Sequence, residues 1–283
     1  MVRKDKAFII TVFLEILAII FVSLGIWIAY TNFNIDVSYY EVKDDLIPDE
    51  FDGLKIAQVS DLHDRDWKGE LESLVAAEKP DIIVVTGDII NSVNEYYDNS
   101  LDFLKQAVKI APVYFISGNH EADCYNYRFI KNLMSEIGVI IADDKSFIIE
   151  RGDKSINLIG IEDPSFTEKN DYFDSYHVII KEKINSHKKE GLYNIVLSHR
   201  PEYFRAYVEA GANLVLCGHA HGGQLIIGDK GLFAPGQGFF PEYTQGIHIK
   251  NDTSMIVSRG LGDSVLPRVN NMPELVIVTL RSK

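Results

Sequence analysis

The stretch LKIAQVSDLH, residues 54–63, decides the fold, because an apolar run of strand length ends abruptly in polar residues. Two later runs, DIIVVTGD at 81–88 and VYFISGNHE at 113–121, have the same form. Amphipathic stretches around residues 71–75 and 101–108 separate the three runs and have the spacing of helices. Strands that alternate with helices predict a largely parallel sheet, and hence an α/β fold.

The second half of the chain predicts a second, mixed sheet. Its strand-like runs are YNIVLS at 193–198, NLVLC at 213–217, MIVS at 255–258 and LVIVTL at 275–280. A Gly- and Pro-rich segment, residues 222–246, separates the first two runs from the last two. Nothing with the composition of a linker divides residues 51–283, so we expect one large domain there.

A long apolar run, AFIITVFLEILAIIFVSLGIWIAY, occupies residues 7–30 and contains one charged residue, Glu15. As a helix this run would be about 36 Å long, which is enough to span a bilayer with some tilt. A cleaved secretory signal is the competing interpretation, but the run is long for one and no clear small-x-small cleavage site follows it. We therefore expect an uncleaved transmembrane anchor.

The flanks of this run predict its orientation. Arg3, Lys4 and Lys6 precede it, whereas residues 31–42 contain no Lys or Arg. Positive charge stays on the cytoplasmic side, so we expect a single-pass protein of the cell membrane whose large domain is extracytoplasmic. The predicted organisation is a cytoplasmic N-terminus at 1–6, a transmembrane anchor at 7–30, a juxtamembrane connector ending in an edge strand at 31–50, and a globular domain at 51–283.

Charge and cysteine content exclude some classes of function. The 283 residues carry a formal net charge of −13, and an acidic protein binds polyanions poorly, so no nucleic-acid partner is expected. The two cysteines, Cys124 and Cys217, are too few for a disulfide framework. Cys217 ends the apolar run NLVLC, and we expect both cysteines to be structural.

Residues with metal-ligating or acid–base side chains follow the predicted strands. Each alone has an ordinary explanation, as a helix cap for the aspartates and the asparagine or as a buried, hydrogen-bonded residue for the histidines. In extended backbone, Asp61 and His63 would project to the same side, as would His219 and His221. The full set is Asp61, His63, Asp88, Asn119, His120, His199, His219 and His221. Together they supply oxygen and nitrogen donors without a thiolate, which suits Mn, Fe or Zn.

The order DxH, GD, GNHE, H and GHxH resembles that of the calcineurin-like metallophosphoesterase superfamily, and most closely its membrane-associated bacterial phosphodiesterase branch. The likeness continues through GHAHGGQ at 218–224 to RGLG at 259–262 and MPELVIVTL at 272–280. It implies a four-layer αββα sandwich of two mixed sheets, an α/β fold that some schemes class as α+β, here preceded by one N-terminal transmembrane helix. It also implies two divalent metal ions, Mn, Fe or Zn, as cofactors.

Matched residue by residue, the resemblance implies a ligand set and a mechanism. The first metal would be held by Asp61, His63, Asp88 and His221, and the second by Asp88, Asn119, His199 and His219, with Asp88 bridging. Two divalent ions, the two carboxylates and a bridging hydroxide leave one positive charge, which attracts an anionic phosphoester. The hydroxide would attack a phosphodiester or pyrophosphate, and His120 would assist the leaving group.

One position departs from the family pattern. Many relatives carry an acid three residues after the GD aspartate, where it can orient the catalytic histidine, but this chain has Asn91 there. Either another group orients His120 or its pKa is lower. Glu121, the last residue of GNHE, is expected to be an ordinary first-turn acid that complements a helix dipole.

Several functional alternatives are open. The expected partners are the membrane and a phosphoester or pyrophosphate substrate, which the anchor would favour as lipid-linked or derived from the cell envelope. A catalytically silent metal-binding scaffold, or a protein or monoester phosphatase, is the alternative function. Arg200 and Arg259 could contact phosphate or pair with surface acids. Residues 222–243 could form a substrate-side wall or lid, or an ordinary connection packed by Phe239 and Phe240.

Overall fold

A computed structural model of the chain describes residues 2–93, 96–167, 173–228, 230–262 and 268–283. Its helices are α1 (Val2–Phe33), α2 (Glu70–Glu78), α3 (Asp98–Ile110), α4 (Asn119–Asp123), α5 (Tyr127–Ile137), α6 (Phe173–His187) and α7 (Phe204–Ala210). Its strands are β1 (Asp36–Asp44), β2 (Lys55–Val59), β3 (Ile82–Thr86), β4 (Val113–Ile116), β5 (Ile140–Ile141), β6 (Lys145–Arg151), β7 (Lys154–Gly160), β8 (Asn194–Leu197), β9 (Leu214–Cys217), β10 (Ile226–Ile227), β11 (Lys230–Gly231), β12 (Phe233–Ala234), β13 (Gly238–Phe239), β14 (Gly246–Lys250), β15 (Thr253–Val257) and β16 (Glu274–Ser282).

Two six-stranded sheets form the body of the described chain. The first has the strand order β1-β16-β2-β3-β4-β5, and the second has the order β14-β15-β9-β8-β7-β6. In the first sheet β2 to β5 are parallel, β16 is antiparallel to β2, and β1 is parallel to β16. In the second sheet the four central strands are parallel and both edge strands are antiparallel. Both sheets are therefore mixed, as predicted.

Three apolar cores separate the layers. Alternate residues of β3 face different layers: Ile83 lies in the core beneath α2, α3 and α5, and Val84 lies in the core between the two sheets. The outer face of the second sheet is covered by α6 and α7 through Ile180 and Tyr207. Burial on both faces explains why β3 is apolar at successive positions. The predicted four-layer αββα arrangement is confirmed.

Strand placement differs from the sequence prediction in one respect. The run at 275–280, predicted in the second sheet, belongs to β16, which lies in the first sheet between β1 and β2. An apolar pattern predicts that a segment is a strand but does not name its neighbour. Here the neighbour is set by long-range pairs such as Val276 with Gln58. β14 and the two small hairpins β10–β11 and β12–β13 had no counterpart in the sequence prediction.

The N-terminal helix stands apart from the four layers. Within the described part of the chain, Phe8–Phe33 is the helix that is long and apolar enough to cross a membrane, and its apolar core is not buried against the protein. The helix is followed directly by β1, which forms an edge of the first sheet. The connector thus contains the expected edge strand, and that strand pairs with β16 along its whole length.

The core beneath α3 and α5 depends on large side chains that are fully enclosed. Phe115 of β4 is 0% exposed, whereas Phe129 of α5 is 56% exposed. Replacement of Phe115 by Ala should lower the free energy of unfolding by about 3–5 kcal/mol, because the cavity adds to the lost apolar burial. Phe129→Ala is the matched control and should cost far less. Denaturant unfolding of both full-length variants measures the difference, and equal losses would contradict this assignment of the core.

Candidate active site

The carboxyl ends of the central strands of both sheets bring the eight predicted residues together. Asp61 and His63 follow β2, Asp88 follows β3, and Asn119 begins α4 after β4. His120 is the second residue of α4, His199 follows β8, and the last two histidines of the set follow β9. Parallel strands deliver the residues after them to one edge of a sheet. Because the two sheets pack face to face, their edges form a common seam.

A first group of ligand atoms is formed by Asp61, His63 and His221, all of them buried and within 4.8 Å of one another. Nε2 of His63 lies 3.1 Å from Nε2 of His221. Nε2 of His221 in turn lies 3.4 Å from Oδ1 of Asp61. The three residues are those predicted for the first metal, without the bridging aspartate.

A second group is formed by Asp88, His199 and His219, which are also buried and within 4.8 Å of one another. Nε2 of His199 lies 3.2 Å from Oδ2 of Asp88, and Nδ1 of His219 lies 3.1 Å from Nε2 of His199. Asp88 also belongs to a third group, with His63 and His120. Asp88 therefore lies between the two groups, where a bridging ligand would have to be.

The donor set fits divalent metal ions. Separations of 3.1 to 3.4 Å between donor atoms match about 3.0–3.4 Å, the spacing of neighbouring ligands that each lie about 2.1 Å from one metal. Oδ1 of Asn119 is buried and has no hydrogen-bond partner among the described residues. A buried amide oxygen without a partner is costly, and a cation would satisfy it.

The backbone at the ligand positions is not extended. The sequence analysis assumed extended backbone for the pair Asp61 and His63 and for the pair His219 and His221, and that assumption is wrong. Left-handed φ angles between 46° and 66° occur at Asp61, His63, Asp88, His219 and His221. Each such residue costs on the order of 1–3 kcal/mol and persists where the surroundings hold it. The pairs do converge on one site, but tight left-handed turns bring them there rather than the alternation of a strand.

Contacts behind the ligands fix their orientation. Nδ1 of His199 lies 2.7 Å from the carbonyl oxygen of Thr86, which can only accept, so Nδ1 carries a proton and Nε2 is the nitrogen that faces the site and would bind a metal ion. The hydroxyl of Ser60 donates to Oδ2 of Asp61 at 2.6 Å. The backbone amide of His219 donates to the same carboxylate at 3.0 Å.

Glu121 differs from the ordinary first-turn acid that the sequence predicted. Its side chain is fully buried, and Oε2 accepts hydrogen bonds from the amides of Asp88 at 2.8 Å and Gly118 at 2.7 Å. Oε1 accepts a third bond from the amide of Ile90 at 3.2 Å. Burial and the charge of Asp88 raise the pKa of Glu121 to about 8. This carboxyl group joins the loop after β3 to the loop after β4 and so positions Asp88.

The pKa values of three buried histidines favour the neutral imidazole, which is the form that binds a metal ion. Burial lowers the pKa of His63 to about 4, and it lowers the pKa values of His219 and His221 well below the usual range. These imidazoles are therefore neutral near pH 7, as metal ligands must be. Burial also lowers the pKa of His199, but the carboxylates of Asp88 and Asp61 outweigh it and raise that pKa to about 10. In the metal-free protein, His199 thus supplies the positive charge beside Asp88.

His120 has a partner that the sequence did not reveal. The backbone amide of Ser92 donates to Nδ1 of His120 at 3.2 Å, and Oγ of Ser92 lies 3.0 Å from the same nitrogen. An amide N–H can only donate, so Nδ1 accepts and the proton of the neutral ring is on Nε2. Asn91 instead accepts a hydrogen bond from the amide of Val93 through Oδ1. Ser92, which follows the position where this chain departs from the family pattern, therefore orients His120.

For two arginines the sequence left open either contact with phosphate or pairing with surface acids, and the structure pairs both with acids. Arg200 pairs with the buried carboxylate of Asp163, and Arg259 pairs with Asp36 and Glu274. Both therefore form ion pairs, although two of these acids are buried rather than on the surface. A third arginine, missed by the sequence, approaches the site: Nη2 of Arg268 lies 3.3 Å from Nδ1 of His221. Both cysteines are free and buried, as a structural role requires.

Glycines before the ligands let the loops come together. A Cβ atom on Gly118 would lie 2.3 Å from Oδ1 of Asp88, and a Cβ atom on Gly218 would lie 1.9 Å from Oγ of Ser60 and 2.3 Å from Oδ2 of Asp61. All three distances are far below van der Waals contact. The Gly that precedes Asn119 and the Gly that precedes His219 are thus required by packing.

Gly218→Ala should therefore displace Asp61 and lower metal affinity, by about 10–100-fold if the change resembles loss of an outer-shell contact. Gly191→Ala is the control, because a Cβ atom at Gly191 meets nothing within 4 Å although its φ is +77°. Metal titration followed by calorimetry measures both variants. An unchanged affinity in Gly218→Ala would contradict the prediction that the close packing of Gly218 holds Asp61 in position for a metal ion.

Comparisons with known proteins show the family to which the chain belongs. The family model for calcineurin-like phosphoesterases matches residues 54–223. Metallophosphoesterase YkuE of Bacillus subtilis is 31% identical, over 88% of this chain and 86% of its own length. Phosphodiesterase YaeI of Escherichia coli is 24% identical, over 72% of this chain and 71% of its own length.

A solved structure shares the fold. The NAD nucleotidase of Haemophilus influenzae matches with a TM-score of 0.50 at 14% identity, over 73% of this chain and 45% of that chain. Identity this low supports the arrangement of sheets and helices and nothing finer. The family match covers more than half of the chain. It includes every residue of both ligand groups, which end at His219 and His221. The chain belongs to the calcineurin-like phosphoesterase family.

Proposed function

We propose that this protein is a membrane-anchored, binuclear-metal phosphoesterase that hydrolyses a phosphodiester or pyrophosphate bond. The observation that carries the proposal is the pair of buried ligand groups with Asp88 between them. Asp61, His63, Asp88 and His221 would hold one ion, and Asp88, Asn119, His199 and His219 would hold the other. Mn, Fe and Zn all suit these donors.

When bound, the two ions would supply activation of water near neutral pH and neutralise charge on the phosphoryl group. The protein's own contribution is to fix the ligands before substrate arrives. Glu121 holds the amide of Asp88, and Thr86 fixes the ring of His199. With two carboxylates against two divalent ions, the site attracts an anionic substrate.

His120 is proposed to assist departure of the leaving group. Its Nδ1 accepts the hydrogen bond from the Ser92 amide, so Nε2–H is available to donate to the leaving oxygen. The ring of His120 lies beside that of His63, with 4.4 Å between the ring centroids. A donor next to a ligand is well placed to stabilise negative charge as it develops on the leaving oxygen.

Two further observations support the choice of substrate and location. A relative that is 24% identical to this chain bears the name phosphodiesterase, which favours a diester over a monoester. The exposed apolar helix Phe8–Phe33 supports a membrane anchor, and the basic residues before it favour a cytoplasmic N-terminus with the catalytic domain outside.

Removal of the bridging carboxylate tests the metal site. Asp88→Asn should lower phosphodiester turnover by at least about 100-fold and reduce the metal content, because one ligand would be lost from both ions. Asp153→Asn changes an exposed carboxylate on the β6–β7 turn and should change neither quantity. Metal analysis and turnover are measured on the same full-length preparations. Full turnover in Asp88→Asn would refute the two-metal mechanism.

Replacement of His120 tests its role in leaving-group departure. His120→Gln should retain both metals but lose about 10²–10⁴-fold in turnover of alkyl diesters, because alkoxides need protonation. Nitrophenyl diesters, whose leaving group is stable as an anion, should lose much less. His187→Gln is the control. An equal loss for both kinds of leaving group would remove His120 from that role.

The same assay separates the alternative functions. Two bound metals without turnover of diesters or monoesters would favour a metal-binding scaffold. Preferential turnover of monoesters would favour a phosphatase. Either result would replace the present proposal, because each removes the diester substrate on which the proposal depends.

A further inference from the structure

The end of α1 lies at the same edge of the first sheet as the candidate active site. Ser38 of β1 pairs with Val276 of β16, which pairs with Gln58 of β2, so these three residues lie side by side. Two strand spacings separate β1 from β2, a distance of about 10 Å. Because β1 runs antiparallel to β2, the chain enters β1 from α1 at the edge where β2 delivers Asp61.

Hydrogen bonds join the last turn of α1 to the loop behind His221. Nδ2 of Asn32 donates to the carbonyl oxygen of Arg268 at 2.8 Å, and the amide of Arg268 donates to Oδ1 of Asn32 at 3.0 Å. Arg65 donates to the carbonyl oxygen of Asn32 from the other side. The guanidinium of Arg268 reaches His221. The helix is thus docked on the site and is not connected to it by a loose tether.

The aromatic residues of α1 indicate where the membrane surface lies. Trp27 and Tyr30 are about half exposed, and their rings stack with 6.5 Å between centroids. Aromatic pairs of this kind concentrate at the interface between bilayer and water. Tyr30 precedes Asn32 by two residues, which is about 3 Å along a helix. The interface therefore lies close beneath the active-site loops.

The segment after His221 exposes apolar side chains, and it begins next to the loop that holds this docked helix. The amide of Ile226 donates to the carbonyl oxygen of Val269, directly after the residue that holds Asn32. The hairpins β10–β11 and β12–β13 follow from Ile226. Their exposed side chains, which we call the apolar patch, are Ile227 (66% exposed), Phe233 (39%), Phe239 (72%) and Phe240 (74%).

This exposure contradicts one of the two sequence alternatives for residues 222–243. In that alternative Phe239 and Phe240 pack an ordinary connection, but about three quarters of each side chain is exposed. Phe233 and Phe239 contact each other edge to face, with 5.4 Å between ring centroids. Adjacent exposed aromatic side chains on a surface are characteristic of an interaction site.

We propose that the apolar patch docks on the phospholipid bilayer, next to the end of α1, so that the active site opens at the membrane surface. This inference rests on the anchoring in the proposed function. A bilayer is favoured over a protein partner because Ile226, the residue before the patch, is hydrogen-bonded to residues 269 and 270, and the neighbouring Arg268 is hydrogen-bonded to the turn of α1 that leaves the membrane. A second apolar contact stabilises attachment and restricts the tilt of the domain.

An active site at the membrane surface indicates the class of substrate. A site that faces the bilayer at a distance of about 10 Å from the anchor receives molecules whose polar part lies at the headgroup level. The substrate is therefore an amphiphilic phosphodiester or pyrophosphate whose apolar part stays in the bilayer.

Depth-dependent fluorescence quenching tests the docking. Full-length Phe240→Cys is labelled with bimane, which reacts selectively because the natural cysteines are buried, and is reconstituted into vesicles of brominated phosphatidylcholine. The label should be quenched relative to vesicles without bromine. The control is Leu46→Cys, an exposed apolar position beyond the far end of β1, about 26 Å or more from its start. Its label should not be quenched.

Flotation of the same vesicles separates the possible failures. Protein that floats with vesicles but shows no quenching at position 240 would overturn the patch proposal and leave the anchor and the phosphoesterase activity standing. Protein that does not float would overturn both the anchor and the patch. Absence of metal-dependent turnover in protein that floats and is quenched would instead count against the proposed function.

Turnover provides a second, independent measurement. The double variant Phe239→Ser, Phe240→Ser is compared with Leu46→Ser in phosphatidylcholine vesicles. The probes are a nitrophenyl phosphodiester of a long-chain alcohol, embedded in the bilayer, and soluble bis(p-nitrophenyl) phosphate. The ratio of embedded to soluble turnover should fall about tenfold or more in the double variant, because two apolar membrane contacts are lost. An unchanged ratio would overturn the proposal.

Discussion

Burial of two carboxylates and several imidazoles within a few ångströms of one another is the constraint on which the rest of the structure depends. Asp61 is 0% exposed and Asp88 is 2% exposed, and charges in such a position need compensation from partners or cations. Without metal, protonated His199 compensates Asp88. Two divalent ions would do so more completely, which links metal binding to the stability of the whole seam between the sheets.

The loops that carry these buried side chains are held in place by close packing and hydrogen bonds on the side away from the site. Glycines at 118 and 218 permit contacts that no other residue would allow, and Glu121 joins two loops through three amides. Left-handed backbone at five ligand positions is retained because these contacts over-determine it. The sheets hold these loops in place, so the candidate ligands are already close together before a metal ion binds.

Much of the fold and the composition of the site could be predicted from sequence, because strand ends, motif order and apolar periodicity are local properties. The sheet to which β16 belongs could not, since pairing across the whole chain decides it. The role of Glu121 was also hidden, because a first-turn acid and a buried brace have the same local sequence. Ser92 was missed for a similar reason: its backbone amide, which any residue except proline carries, is the group that contacts His120.

The position of β16 also bears on how the protein is made. The first sheet is incomplete until β16 is inserted between β1 and β2, both of which are synthesised long before it. Pairings between distant segments form slowly, and unpaired strand edges are prone to aggregation. During this interval β1, tied to α1, would be kept at the membrane surface, away from other chains in solution. An α1 inserted in the membrane, as proposed, would thus limit the encounters of the open sheet with other chains until its last strand arrives.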